Sequence, residues 1–421
     1  MRLAFVALLG PLALGGIGRG SITPGERAGQ DVGRAAHEVH SPALTSVEQL
    51  GKSLFFDTRL SEPPGQSCAS CHGPAAGWTG ADANINAHGT VYEGAVPGRF
   101  GNRKPPSAAY ATRAPVLHLI EPQGKFQGGR FSDGRATGEK LGNPAADQAQ
   151  GPFLNPVEQN NPSAASVVAK VCAGSYGTLF RDVYGQDSCD GANVDRAYDD
   201  IARAIAAYEG SREVNAFSSK YDAYLAGRAE LTAVEKQGLK LFEGKAKCSQ
   251  CHPSRPGPKG EPPLFTDDSY DNLGLPRNLE NPWYTPTELN PLGAAWVDNG
   301  LGAFLAQRRD FRPFAQANLG LHRVPTLRNV DKRPRPDFVK AYGHNGYFKS
   351  LKSFVHFYNT RDVLPVCPTE TPGPSRVDCW PAPEVRVNVN TEELGRLGLS
   401  EQEEDALVAF LGTLSDGFSQ P

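Results

Sequence analysis

The sequence predicts a mainly α protein of two successive domains with long irregular loops, and three observations carry that expectation. Glycine and proline number 46 and 35 among 421 residues, nearly a fifth of the chain against about 12% on average, so much of the chain is loop around a modest ordered frame. One unit is used twice: Leu44-Thr45-Ser46-Val47-Glu48, then Gly51 and Leu54-Phe55, is matched by Leu231-Thr232-Ala233-Val234-Glu235, then Gly238 and Leu241-Phe242. Each copy leads into Cys-x-x-Cys-His, first as Cys68, Cys71 and His72, then as Cys248, Cys251 and His252.

The chain opens with Met1-Arg2 and an apolar run from Leu3 to Leu14 broken by Gly10 and Pro11, followed by small residues. This pattern predicts a secretory signal peptide over about residues 1–20 and a periplasmic protein. The run is too short for a stable membrane span, so none is expected after processing. In each repeat, Thr45 with Glu48 and Thr232 with Glu235 form capping boxes, so a short helix precedes each cysteine motif. The motif itself attaches c-type haem: two thiols three residues apart reach both vinyl groups of one porphyrin, and the next imidazole lies under the iron. A helix closes each half. Ile201, Ile205 and Tyr208 mark one face of Val194 to Tyr208, and Leu407, Phe410, Leu411 and Leu414 mark Ser400 to Leu414. Helix, motif, loops and closing helix make a c-type cytochrome domain, expected twice, over residues 41–215 and 228–421, with a linker near Gly210 to Gly227.

Eight cysteines are present. The remaining four fall as Cys172 with Cys189 and Cys367 with Cys379, each closing a short loop, and are expected as disulfides in an exported chain. A Cys₄ zinc site built from the two Cys-x-x-Cys pairs is the rival chemistry, but zinc explains neither histidine. The formal charge is −3, so no basic excess points to nucleic acid. The only methionine is Met1, which leaves no thioether ligand in the processed chain.

Beyond the haem motifs, the chain carries Leu54-Phe55-Phe56-Asp57-Thr58-Arg59-Leu60-Ser61, Phe131-Ser132-Asp133-Gly134-Arg135 and the stretch from Gln148 through Asn155-Pro156-Val157-Glu158. The second half has Val324-Pro325-Thr326-Leu327-Arg328-Asn329, Tyr342-Gly343-His344-Asn345-Gly346 and a helix through Phe357-Tyr358. With these motifs the sequence resembles the bacterial di-haem cytochrome c peroxidase and MauG family over nearly the whole mature chain. The resemblance implies that the N-terminal haem meets hydrogen peroxide and the C-terminal haem passes or stores electrons. By position, Glu158 matches the family's catalytic glutamate and Gln148 its polar neighbour. A carboxyl beside the iron suits the task, since peroxide must lose a proton from one oxygen and gain one on the other.

The same resemblance makes His88, sixteen residues after His72, a candidate second ligand of the first iron, as in resting peroxidases. Tyr358 stands fourteen residues after His344, where peroxidases carry methionine and MauG carries tyrosine, and it is the candidate second ligand of the second iron, with His356 as its rival. His344 itself matches a histidine that hydrogen-bonds around the haem or between domains. Three departures stand out: Ser132 replaces the tryptophan between the haems, Lys104 replaces an asparagine that helps hold calcium, and residues Asn281 to Gly302 add Trp283, Tyr284 and Trp296. Calcium is therefore left open. The expected enzyme is a di-haem oxidoreductase with two covalent haem c groups, using hydrogen peroxide and taking electrons from a small redox protein (cytochrome c or cupredoxin) or from a protein substrate. A di-haem electron carrier without catalysis is the alternative.

Overall fold

The computed structural model describes residues 43–369 and 378–419; the expected signal peptide lies outside the described residues. The regular structure is mainly helical. The first half contributes α1 (Ser46–Phe56), α2 (Cys68–Cys71), α3 (Ala83–Ala87), α4 (Pro144–Leu154), α5 (Ala164–Ala173), α6 (Gly177–Tyr184) and α7 (Val194–Gly210). The second contributes α8 (Lys220–Leu225), α9 (Ala233–Glu243), α10 (Gly300–Leu305), α11 (Leu351–Thr360) and α12 (Glu401–Gly412). Four short strands complete it: β1 (His118–Ile120) pairs antiparallel with β2 (Lys125–Gln127), and β3 (Tyr270–Asp271) with β4 (His322–Arg323).

The repeat read from the sequence is a repeat in space. Thr45 and Thr232 cap α1 and α9 with reciprocal Glu48 and Glu235 bonds, and Ser400 with Glu403 does the same for α12. In each half the opening helix crosses the closing helix at a glycine. A methyl group at Gly51 would run into the Ala204 carbonyl of α7, and one at Gly238 into the Ala406 carbonyl of α12. Only glycine lets the two backbones approach that closely.

Two large apolar cores follow from these crossings. Leu54, Phe55, Val167, Phe180, Ile201 and Tyr208 lie at the centre of the first, with Cys68 packed against it. Phe242, Phe265, Phe348, Phe357 and Phe410 lie at the centre of the second, with Cys248 against it. The two cysteine motifs thus belong to different cores, which removes the rival Cys₄ zinc site. The remaining cysteines form the disulfides Cys172–Cys189 and Cys367–Cys379.

The segment expected as a linker is folded: Ser219 caps α8, Tyr221 joins the second core, and Asp222 takes both ends of the fully buried Arg328 guanidinium at 3.0 and 2.8 Å. Residues from Ala43 onward form one compact unit. Among the described residues no helix is long and apolar enough to cross a membrane.

Gly51→Ala and Gly238→Ala should each destabilise the protein by about 1–3 kcal/mol through overpacking, although alanine is the better helix former. Urea unfolding of the haem-loaded variants measures this; unchanged midpoints would mean that the helix crossings are looser than described.

Candidate functional site

The first cysteine motif is held by local polar bonds. The Ser67 N–H donates to Ser70 Oγ at 3.0 Å and the His72 N–H to the Cys68 carbonyl at 2.9 Å, which winds Cys68–Cys71 into one helical turn. His72 Nδ1 donates to the Pro106 carbonyl at 2.9 Å, with the Trp78 carbonyl at 3.3 Å. Two acceptors at Nδ1 place the proton there and leave Nε2 with its lone pair. Burial pulls His72 down to about 4, so the ring is neutral and able to ligate at any physiological pH.

His72 and Cys71 line a cavity together with Gln148, Glu158, Tyr92 and Arg135. Gln148 comes from α4, and Glu158 from the turn after it, where its N–H donates to the Asn155 carbonyl at 3.0 Å and Asn155 Nδ2 donates to Glu158 Oε1 at 2.7 Å. Burial pushes the Glu158 carboxyl above the ordinary carboxylic range, opposed by the Arg135 guanidinium and the Asn155 amide. A buried carboxyl with a raised pKa in the cavity of the haem-motif histidine is suited to taking up and returning a proton.

His88 is not part of this cavity. It is exposed at the end of α3, with Nδ1 donating to the Asn84 carbonyl at 2.9 Å.

The second motif repeats the device. The His252 N–H donates to the Cys248 carbonyl at 2.9 Å and His252 Nδ1 to the Phe265 carbonyl at 2.7 Å, and burial again lowers the imidazole pKa. A cavity opens beside it, lined by Cys248, Cys251, His252, Phe354, Tyr358 and Leu411 among others. Tyr358 projects from α11, its ring 5.2 Å from Phe354, and its hydroxyl makes no side-chain hydrogen bond among the described residues. Burial, with the nearby Asp271 adding to it, holds the phenol pKa well above its ordinary value. His356 on the same helix is engaged elsewhere: Nδ1 meets Glu404 Oε1 at 2.9 Å, and the ring does not line the cavity.

Each motif therefore offers two cysteine sulfurs, a histidine with a free Nε2 and an adjoining cavity, polar and charged at the first and mostly apolar at the second. That donor set fits a c-type haem at each. Lys104, Phe131 and Ser132 line both cavities, and the Arg323 N–H donates to the Ser132 carbonyl at 2.8 Å. Lys104 Nζ donates to Thr79 Oγ1 and to the Pro105 carbonyl, both at 3.0 Å, and burial lowers it to about 8. His344 stacks on His322 at 3.5 Å, with its Nε2 3.9 Å from Asp298.

Several groups at the site carry no local sequence signal. Arg103 holds Asp298 through Nε and Nη2 at 2.7 and 2.6 Å and Asp133 at 2.6 Å, joining positions 195 and 30 residues away. Glu209 near the end of α7 faces the first cavity with Oε2 unpaired, its pKa raised by burial, opposite the buried Arg130.

Comparison with known proteins gives a consistent picture. The family model described as di-haem cytochrome c peroxidase matches residues 45–230. The methylamine utilization protein MauG of Paracoccus denitrificans is 36% identical over 393 residues, 91% of this chain and 92% of the relative. Cytochrome-c peroxidase IdrP2 of Denitromonas iodatirespirans is 26% identical, covering 87% and 81%. Among solved structures, the di-haem peroxidase BthA of Burkholderia thailandensis superposes with a TM-score of 0.70 at 34% identity, over 88% of this chain and 86% of that one.

Proposed function

The chain belongs to the di-haem cytochrome c peroxidase family and is a peroxidase-type oxidoreductase, and on that premise we propose that it reduces hydrogen peroxide at a haem held by Cys68, Cys71 and His72. Cys248, Cys251 and His252 would hold a second haem, which would supply the route by which electrons enter. The observation that carries this reading is the convergence of His72, Glu158 and Gln148 on one cavity. When bound, the haems supply iron that exchanges electrons with peroxide and donor.

The residues do the rest. Cys68 and Cys71 would tether the ring by thioether bonds, and His72 would hold the iron through Nε2. Glu158, as carboxylate, would accept a proton from one oxygen of peroxide and return it to the oxygen that leaves as water. Its raised pKa brings it closer to the working pH, which suits a group that must act as base and then as acid. Gln148 offers an amide to the same oxygens. At the second site Tyr358 would be the oxygen ligand, because it lines the cavity while His356 is paired with Glu404. An anionic phenolate favours ferric and higher states.

Two placements favour the MauG-like branch, in which a protein is the electron source: Tyr358 lies in the second cavity and His88 outside the first. A small redox protein, cytochrome c or cupredoxin, is the donor in the peroxidase branch. A pure electron carrier has no use for a buried carboxyl beside an open iron position. Lys104, held by Thr79 Oγ1 and the Pro105 carbonyl, stands where relatives of this kind carry an asparagine that helps hold calcium, so calcium is left open. Two disulfides suit an oxidising compartment, and with the signal sequence they support the periplasm.

Glu158→Gln should keep both haems and slow the peroxide reaction by about 10²-fold or more, read by stopped-flow absorbance. The pH profile adds a sign. The carboxylate form is lost as pH falls through its raised pKa, so the wild-type reaction slows on the acid side. The glutamine variant should lack that limb; identical profiles would remove Glu158 from the mechanism.

Tyr358→Phe should alter the ferric absorption spectrum of the second haem and raise its reduction potential, while His356→Ala leaves both in place. The reverse outcome would make the second haem bis-histidine.

A further inference from the structure

The aromatic cluster of residues 281–302 lies beside the first cavity, and the peroxide reaction does not use it. The rings of Trp283 and Trp296 meet edge to face at 5.9 Å, and Tyr284 lies 5.9 Å from Trp296. Tyr284 is buried, while both tryptophans are partly exposed. The Tyr284 hydroxyl donates to Glu384 Oε1 at 2.9 Å, and Glu384 Oε2 is buried with no partner among the described residues. Three contacts join the cluster to the wall of the first cavity. Asn281 Nδ2 donates to the Asn102 carbonyl at 3.0 Å, Asp298 takes Arg103, and Trp283 shares a small cavity with Val157. Asn102, Arg103 and Val157 all line the first cavity.

We propose that Trp283, Trp296 and Tyr284 form an oxidisable relay that carries electrons one at a time from the surface to the peroxide-reacting haem, with Glu384 as proton acceptor for Tyr284. The relay rests on the reading that peroxide reacts at the first haem. Glu384 Oε1 also pairs with Arg277 Nε and accepts the Asp298 N–H, both at 3.4 Å, and the Arg277 guanidinium lies 5.0 Å from the Tyr284 ring centre. The buried Oε2 keeps proton-accepting capacity that a phenol losing its proton can use. After hydrogen peroxide has taken electrons from the haem, Tyr284 gives one electron to the oxidised cofactor. Its O–H bond breaks, the proton crosses the existing hydrogen bond, and an O–H bond forms on Glu384. A neutral phenoxyl radical remains, and the cofactor is reduced by one electron.

A one-electron reductant at the partly exposed tryptophans, such as a reduced metalloprotein or a hydroquinone, then restores Tyr284, and Glu384 returns the proton. Burial raises the phenol and the carboxyl pKa alike. Tyr284 therefore keeps its proton until the electron leaves, and Glu384 holds it well afterwards. Trp283 Nε1 is buried without an acceptor, so this indole passes the charge on as a short-lived radical cation while Tyr284 is where the oxidation rests.

The test mixes ferric, haem-loaded enzyme with an equimolar amount of hydrogen peroxide and no reductant, followed by freeze-quench EPR and peptide mass spectrometry. The wild type should show a tyrosyl signal that is lost in Tyr284→Phe, with added oxygen on Trp283 or Trp296 increasing in that variant. Glu384→Gln keeps the hydrogen-bonding shape but not the basic oxygen, and should likewise lose the tyrosyl signal and gain tryptophan oxidation. Both variants should keep the haem absorbance change on mixing with peroxide. No absorbance change in the wild type would overturn the peroxide reading itself. An absorbance change with a radical signal unaltered by Tyr284→Phe, and with unmodified peptides over residues 281–302, would overturn the relay alone.

Discussion

The hydrogen bond from each motif histidine to a backbone carbonyl is the constraint on which the site depends. His72 Nδ1 is tied to Pro106 and His252 Nδ1 to Phe265. Each bond fixes the tautomer, aims Nε2 into the cavity and, with burial, keeps the ring uncharged. The carbonyls come from loops 34 and 13 residues downstream of the histidines. Those loops are therefore part of the site. Phe265 adopts a left-handed backbone conformation (φ 54°) and buries its ring in the second core, which anchors the carbonyl that His252 needs.

The same unit is thus used to build two unlike sites. Opening helix, cysteine turn, carbonyl-held histidine and closing helix recur in both halves, down to the glycine crossings at Gly51 and Gly238. What differs is the group brought to the free side of the cavity. The turn after α4 delivers a carboxyl that can move protons, and α11 delivers a phenol that can become an anionic ligand. Between them, Lys104, Pro106, Ser107, Phe131 and Ser132 border both cavities, so the two sites share one wall of mixed polar and apolar residues.

Much of this was legible in the sequence because it is local or repeated. Capping boxes, the cysteine spacing and the apolar faces of α7 and α12 each lie within one or two turns of chain. Glu158 was legible through its motif, and it does reach the cavity that His72 lines. The placement of His88 was not: a histidine after a short helix can turn either way, and here the Asn84 carbonyl and solvent hold it outward. Nor were Arg103 with Asp298, Tyr284 with Glu384, or the pairing of β3 with β4, since each joins positions far apart in the chain and no periodic pattern announces a single ion pair or a two-residue strand.

The central claim is that one molecule holds two unlike iron sites, an open one beside Glu158 and a closed one beneath Tyr358. Low-temperature EPR of the purified ferric enzyme tests it most directly. The account predicts one high-spin ferric iron with His72 as its only protein ligand, together with one six-coordinate iron bearing an imidazole and an oxygen donor. Two low-spin irons, each with two imidazole ligands, would contradict it.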